Sequence, residues 1–88
     1  FSQRITMKIV LKPPALEEVK EYINGRLRNV GVKTPLFKDN AIKAIRDNAQ
    51  GSIRNINKLC DMSLMLAYGE EKRTIDEEIV YKAASEVL

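Results

Sequence analysis

The segment from Gln50 to Asn57 divides the chain into two helical halves. Glycine tolerates the left-handed conformation that closes a helix, so Gly51 is predicted to end one helix. Ser52 can accept a hydrogen bond from the amide of Arg54 or Asn55 and act as the N-cap of the next helix. The sequence therefore predicts a tight turn between two helices, with Arg54 in the first turn of the second.

Apolar residues at three- and four-residue spacing lie on both sides of this turn, which is typical of helices with one buried face. The helix before the turn is predicted to run from Asp39 to Gln50, and the helix after it to Tyr68, where Gly69 stops it. The apolar stripes are Ala41, Ile42, Ile45 and Ala49 before the turn, and Ile53, Ile56, Cys60, Leu64 and Ala67 after it.

Two further helices are predicted outside this pair. One runs from Leu16 to Asn29 or Val30 and lacks a side-chain cap, because Ala15 has no acceptor. The other follows Asp76, which can act as its N-cap. Between the first two helices, Leu36 and Phe37 are expected to pack under the bundle. The predicted fold class is all-α: a small four-helix bundle preceded by a short extended segment or strand.

That extended segment is predicted from the alternation of apolar and polar residues between Ile5 and Leu11. Pro13 and Pro14 end it because proline cannot donate to a strand ladder. A single strand is not stable alone, so we expect it to belong to a sheet in a larger protein. The predicted domains are residues 1–12, the end of a preceding core, and residues 13–88, a helical domain.

Composition excludes several kinds of site from this chain. It has 88 residues, no histidine and one cysteine, Cys60, which excludes histidine catalysis and ordinary zinc sites within it. Cys60 lies on an apolar stripe and is expected to be buried and unreactive. The net charge of +3 mildly favours anionic partners. Because the chain has no apolar run of membrane-spanning length and no signal-peptide pattern, we expect a cytoplasmic protein.

Arg54 occupies an unusual position for a cation. The amino end of a helix carries partial positive charge, so a cation there costs roughly 0.3–1 kcal/mol. The free amides at the same end favour an anion such as phosphate, and a guanidinium can form two hydrogen bonds to its oxygens. Arg54 is therefore a candidate phosphate contact, with a solvated arginine as the alternative.

The sequence resembles the C-terminal helical lid of AAA+ ATPases, most closely that of the ExeA-like, general secretion pathway protein A family. The resemblance covers nearly the whole chain and depends on the order and spacing of its pieces. These pieces are Gln3-Arg4-Ile5, Leu11-Lys12-Pro13, Tyr22-Ile23, Arg26-Leu27, Leu36-Phe37, Gly51-Ser52-Ile53-Arg54-Asn55-Ile56-Asn57, Leu59-Cys60, Ala67, Ile75, Val80 and Ala83-Ala84.

This resemblance implies roles for four residues. Arg54 would be the sensor II arginine, which reaches the phosphates of a nucleotide bound on a neighbouring core domain. Arg4 would be an arginine finger that acts on the adjacent subunit, with a solvated arginine at the end of a strand as the alternative. Tyr22 and Ile53 would contact the adenine, although residues at helical spacing also serve in simple packing.

The resemblance also implies what the parent protein does. The chain has no G-x-x-x-x-G-K-[ST] loop and no aliphatic run ending in paired acids, so ATP and its Mg²⁺ would be held by the missing core domain. Alone the chain should be inactive. The parent would be a homo-oligomeric ATPase that drives assembly or remodelling in type II secretion and contacts the secretion machinery. It would be cytoplasmic, with association with the inner membrane as the alternative. A transposition helper is the alternative within the resemblance.

A helix-turn-helix module that binds DNA is the alternative from another class. The third helix would read bases through Arg54, Asn55, Asn57 and Lys58. Against it, such a module usually has a small residue four positions before the turn glycine, and this chain has Asp47 there. Its charge would then lie where the helices cross, so binding to nucleic acid is not favoured.

Overall fold

Four α-helices form the described part of the chain. The computed structural model describes residues 14–88, of which 71% are helical, and it contains no strand within this range. The all-α prediction is confirmed, whereas the predicted strand between Ile5 and Leu11 lies outside the described residues. No helix of residues 14–88 is long and apolar enough to cross a membrane. The helices are α1 (Leu16–Asn29), α2 (Asp39–Ala49), α3 (Ile53–Gly69) and α4 (Glu77–Val87).

The helix ends follow the capping residues of the sequence. The Ser52 hydroxyl accepts a hydrogen bond from the Asn55 amide at 3.1 Å, and the Asp76 carboxylate accepts one from the Ile79 amide at 3.2 Å. The second bond lowers the pKa of Asp76 because it stabilises the ionised form. Both predicted N-caps are therefore confirmed.

The turn between α2 and α3 contains three residues, Gln50 to Ser52. Gln50, with φ 53° and ψ 43°, is the left-handed residue that closes α2, and Gly51 follows it with φ 81°. The prediction that Gly51 has a positive φ is confirmed, but the assignment of Gly51 as the closing residue was wrong by one position. Two successive left-handed residues leave a connection in which the Ser52 amide bonds the Ala49 carbonyl at 3.1 Å.

The core lies among α2, α3 and α4, with α1 packed on α2. Phe37 and Ile75 add to it from the two longer connections, which meet in an isolated parallel bridge. The burial predicted for Phe37 is confirmed, and Leu36 is partly buried. Fully buried aliphatic side chains include Ile23, Ile42, Ile45, Ile56, Leu59, Ile75, Ile79 and Val80.

One residue of the predicted apolar stripes is exposed. Ile53 is 53% exposed in the first turn of α3. Placing Ile53 on the buried stripe was therefore wrong. Helical spacing gives the direction of a side chain but not the point at which the neighbouring elements stop covering it.

Candidate functional site

Arg54 projects from the amino end of α3 into solvent. Its side chain is exposed and makes no hydrogen bond or ion pair with any residue in 14–88. The first turn of α3 contains no acidic residue, and within the described chain the Ile53 and Arg54 amides have no acceptor. A guanidinium and two free amides thus lie at the positive end of a helix, an arrangement suited to an anion.

A second cation lies one turn further along the same side of α3. Lys58 is four residues after Arg54, is exposed, and has no ion pair among residues 14–88. Residues four apart on a helix are neighbours. The exposed side of the first two turns of α3 therefore carries uncompensated positive charge next to the free amides.

The chain enters the bundle at this same end. The Arg46 Nε, near the end of α2, donates to the Pro14 carbonyl oxygen at 2.7 Å. Arg46 lies one turn before the end of α2 at Ala49, and three residues separate α2 from α3. This hydrogen bond therefore places Pro14 toward the end of α2 from which the chain continues to Arg54.

A polar network joins α1 to α3 just behind the first turn. The Asn57 Oδ1 accepts hydrogen bonds from the Tyr22 hydroxyl and from Arg26 Nη1, each at 2.9 Å. The other terminal nitrogen of Arg26 lies 3.5 Å from an Asp61 carboxylate oxygen. Tyr22 contacts Asn57, and Arg26, one turn later in α1, reaches Asp61, one turn later in α3. The two helices therefore run parallel, which again places the start of α1 beside Arg54.

The structure brings some of the predicted site residues together and separates others. Ile53 is exposed beside Arg54 in the first turn of α3, whereas the Tyr22 hydroxyl is bonded to Asn57 one turn further on. Arg4 lies outside the described residues. The sensor II role of Arg54, the adenine contacts of Tyr22 and Ile53, and the arginine-finger role of Arg4 stay predictions.

Sequence reasoning missed the part that Asn57 plays. Asn57 was considered only as a base-reading residue, yet it is partly buried and holds two side chains of α1. A signal was available: Asn57 lies between Ile53 and Cys60 at helical spacing, so it is a polar residue on the apolar side of α3. Such a residue requires hydrogen-bond partners from the helix it faces.

Two of the four residues proposed to read bases are engaged within the bundle. Asn57 binds α1, and the Asn55 side-chain amide lies 3.4 Å from the Ala49 carbonyl oxygen. Asp47, whose charge would lie where the helices cross in a helix-turn-helix, is exposed in this structure. It accepts a hydrogen bond from Lys43 at 2.9 Å, which raises the pKa of that lysine. With two of its base contacts committed elsewhere, the DNA-binding alternative has little support from this geometry.

The thiol of Cys60 is not available for chemistry at neutral pH. Its side chain is 4% exposed, as the sequence predicted, and burial raises the pKa of the thiol to about 12. A protonated thiol is neither a nucleophile nor a metal ligand. Within residues 14–88 there is no group of three side chains that could hold a metal ion.

Comparison with known proteins gives one informative similarity. The chain is 31% identical over 87 residues to "General secretion pathway protein A" of Aeromonas hydrophila. The match covers 99% of this chain and 16% of that protein, so the chain spans a small part of its relative's length. No protein-family profile and no solved structure matches the chain. The similarity supports a relation to the general secretion pathway protein A family.

Proposed function

We propose that residues 13–88 are the helical lid of a secretion-related AAA+ ATPase and that Arg54 is its sensor II residue. Residues 1–12 would then be the end of the nucleotide-binding core. ATP and Mg²⁺ bind on that core in this proposal, and the lid supplies one wall of the site. The intact protein would use the cycle of binding and hydrolysis for assembly or remodelling.

The observation that carries the proposal is the shared end of the bundle at which the chain enters and Arg54 emerges. The hydrogen bond from Arg46 to Pro14 holds the first described residue against α2, close to the turn at 50–52. A domain that precedes the lid is attached at this end. Its bound nucleotide would lie on the side from which Arg54 projects, rather than on the far side of the bundle.

The electrostatics of the α3 amino end fit a phosphate. Arg54 has no carboxylate partner in residues 14–88 that would compete with a ligand, and its helix dipole adds to the attraction. Phosphoryl transfer places negative charge on the oxygens of the transferred group, and a guanidinium stabilises that charge. Arg54 would also draw the lid toward the core when the terminal phosphate is present.

The polar network behind Arg54 would couple the movement of α3 to that of α1. Asn57 ties α3 to Tyr22 and Arg26 of α1, the helix that leads back toward the core. A shift of α3 on contact with phosphate would therefore carry α1 with it. Closing motions of this kind commonly gate catalysis in enzymes that exclude water.

Steady-state ATP hydrolysis by the intact protein tests the proposal. We expect Arg54→Ala to lower turnover by about 10²-fold or more, the effect typical of losing one group that stabilises transition-state charge. Arg28→Ala is the matched control, because Arg28 is also exposed and lies at the other end of α1. Turnover near wild type for Arg54→Ala, or equal losses for both variants, would rule out the sensor role.

The same proposal extends to the oligomer and the pathway. A homo-oligomer would let Arg4 reach the nucleotide of the adjacent subunit, and the similarity to general secretion pathway protein A points to a secretion-system partner. Mixing Arg4→Ala subunits with subunits that cannot bind ATP distinguishes the role of Arg4 from that of Arg54. Only a residue that acts in trans on the neighbouring subunit can be complemented between subunits.

A further inference from the structure

An apolar groove lies between the carboxyl halves of α1 and α3, away from Arg54. It has a volume of about 400 Å³, and its base is formed by apolar side chains of both helices and by Phe37. The network of Arg26 with Asn57 and Asp61 closes the end that faces Arg54. Pockets of this size hold the apolar groups of a ligand or of a partner side chain.

A second groove continues the first along the other side of α3. Its volume is about 370 Å³, and it lies between the last turns of α3 and the connections that contain Leu36 and Ile75. Leu64 lines both grooves. We name the two together the α3 groove.

Large apolar side chains stand exposed along the α3 groove. Tyr68 lines one part and is 87% exposed, and Val30 lines the other part and is 75% exposed. Single apolar residues on a surface are ordinary, but large exposed ones that line an apolar groove are typical of an interaction site. Exposed aromatic residues in particular tend to anchor protein partners.

The charge that lines the second part of the α3 groove is positive. In the first part, Arg26 and Asp61 both line the groove and pair with each other, so their charges balance. Lys72 and Arg73 line the second part, which has no acidic lining residue among those described. Lys72 lies 3.8 Å from Glu70, whereas Arg73 has no ion pair within residues 14–88. An occupant that matches this surface must combine apolar side chains with carboxylates.

We propose that the α3 groove binds an acidic amphipathic segment of a partner protein. Its apolar side chains would fill the spaces on either side of Leu64, and a carboxylate beyond them would pair with Arg73. This site is separate from the amino end of α3 and does not require that Arg54 contact a nucleotide. The bundle would thus present a polypeptide-binding surface at the opposite end from its phosphate contact.

Selection from a phage-displayed library of short random peptides on the 88-residue chain tests this proposal. We expect the enriched peptides to share apolar residues followed by an acidic residue. Tyr68→Glu should weaken the binding of a selected peptide by about tenfold or more, since it places a negative charge in the apolar contact. Arg73→Glu should weaken it through repulsion of the carboxylate.

Matched variants elsewhere on the surface separate the groove from general effects. Tyr81→Glu is the control for Tyr68→Glu, because it changes another exposed tyrosine, on α4. Lys58→Glu is the control for Arg73→Glu, because it makes the same change of charge at the other end of α3. Both should leave peptide affinity within about twofold. Thermal unfolding followed by circular dichroism checks that the Tyr68→Glu chain folds, as expected for a side chain that is 87% exposed.

Three outcomes would overturn the proposal. The first is no enrichment of peptides, and the second is enrichment of peptides that lack acidic residues or that bind Tyr68→Glu as well as wild type. The third is concentration-dependent self-association of the chain that Tyr68→Glu abolishes, because the groove would then be occupied by a second copy. Sedimentation velocity at several protein concentrations distinguishes this last case.

Discussion

Two faces of α3 are packed in different ways. The core face, which includes Ile56, Leu59 and Ser63, is fully buried among α2 and α4. The α1 face, formed by Asn57, Cys60 and Leu64, meets its neighbour through hydrogen bonds at one end and leaves a groove of about 400 Å³ at the other. One helix thus has a dry, close-packed side and a partly polar, open side.

This difference separates stability from function. Close packing of aliphatic side chains supplies most of the free energy that holds a small domain together. Because the core face provides that contribution, the α1 face can contain a polar network and an open cavity without loss of the fold. Both proposed sites, the phosphate contact and the α3 groove, lie on or next to this less tightly packed side.

The largest expected effect that tests the comparison of the two faces of α3 concerns the reactivity of Cys60. Burial raises the pKa of its thiol from 9.0 to about 12, although the residue lines the groove. At pH 8 the thiolate population is then about 10³-fold smaller than in the unfolded chain, and labelling should be slower by the same factor. Reaction with Ellman's reagent with and without denaturant measures this ratio. Equal rates would show that the groove admits solvent to the thiol.

The next effect compares two leucines of α3. Leu59→Ala on the core face should lower the free energy of unfolding by about 2–5 kcal/mol, since Leu59 is fully buried and its removal leaves a cavity. Leu64→Ala on the α1 face should cost about 1 kcal/mol, because Leu64 is only partly buried between two grooves. Urea unfolding of both variants gives the values. Equal losses would remove the distinction between the faces.

The smallest effect concerns the polar network. Asn57→Ala leaves the Tyr22 hydroxyl and one Arg26 nitrogen without their acceptor, and should cost about 1–2 kcal/mol, since water can reach these partly buried groups. Tyr22→Phe removes only one of the two bonds and should cost less. Hydrogen exchange of α1 amides should quicken more in the first variant. If Tyr22→Phe is the more destabilising change, Asn57 is not the centre of the network.

Most of the fold could be predicted from the sequence because its signals are local. Ser52 and Asp76 cap the helices that they were expected to cap, and the apolar spacing placed Cys60 in the core. The errors arose where the answer depends on other segments. Ile53 has the spacing of a core residue but lies in a first turn that nothing covers, and Gln50 adopts a left-handed conformation that its residue type does not favour.

The candidate site could be predicted only in part. Arg54 was identified from its conflict with the helix dipole, which is a property of the sequence alone. The role of Asn57 depends on the parallel arrangement of α1 and α3, and the α3 groove depends on how far α1 lies from α3 beyond that network. Neither the relative direction of the two helices nor the distance between them can be read from the periodicity of a single helix.

The hydrogen bond from Arg46 to Pro14 also determines how mechanical load would pass through the molecule. Tension on the backbone ahead of Pro14 would pass along the chain into α1, and part of it would reach α2 through the Arg46 guanidinium. From Arg46, one turn before the end of α2, it would cross the short turn at 50–52 to the helix that presents Arg54. Force from a moving neighbour would thus reach both α1 and the part of the bundle where phosphate is proposed to bind.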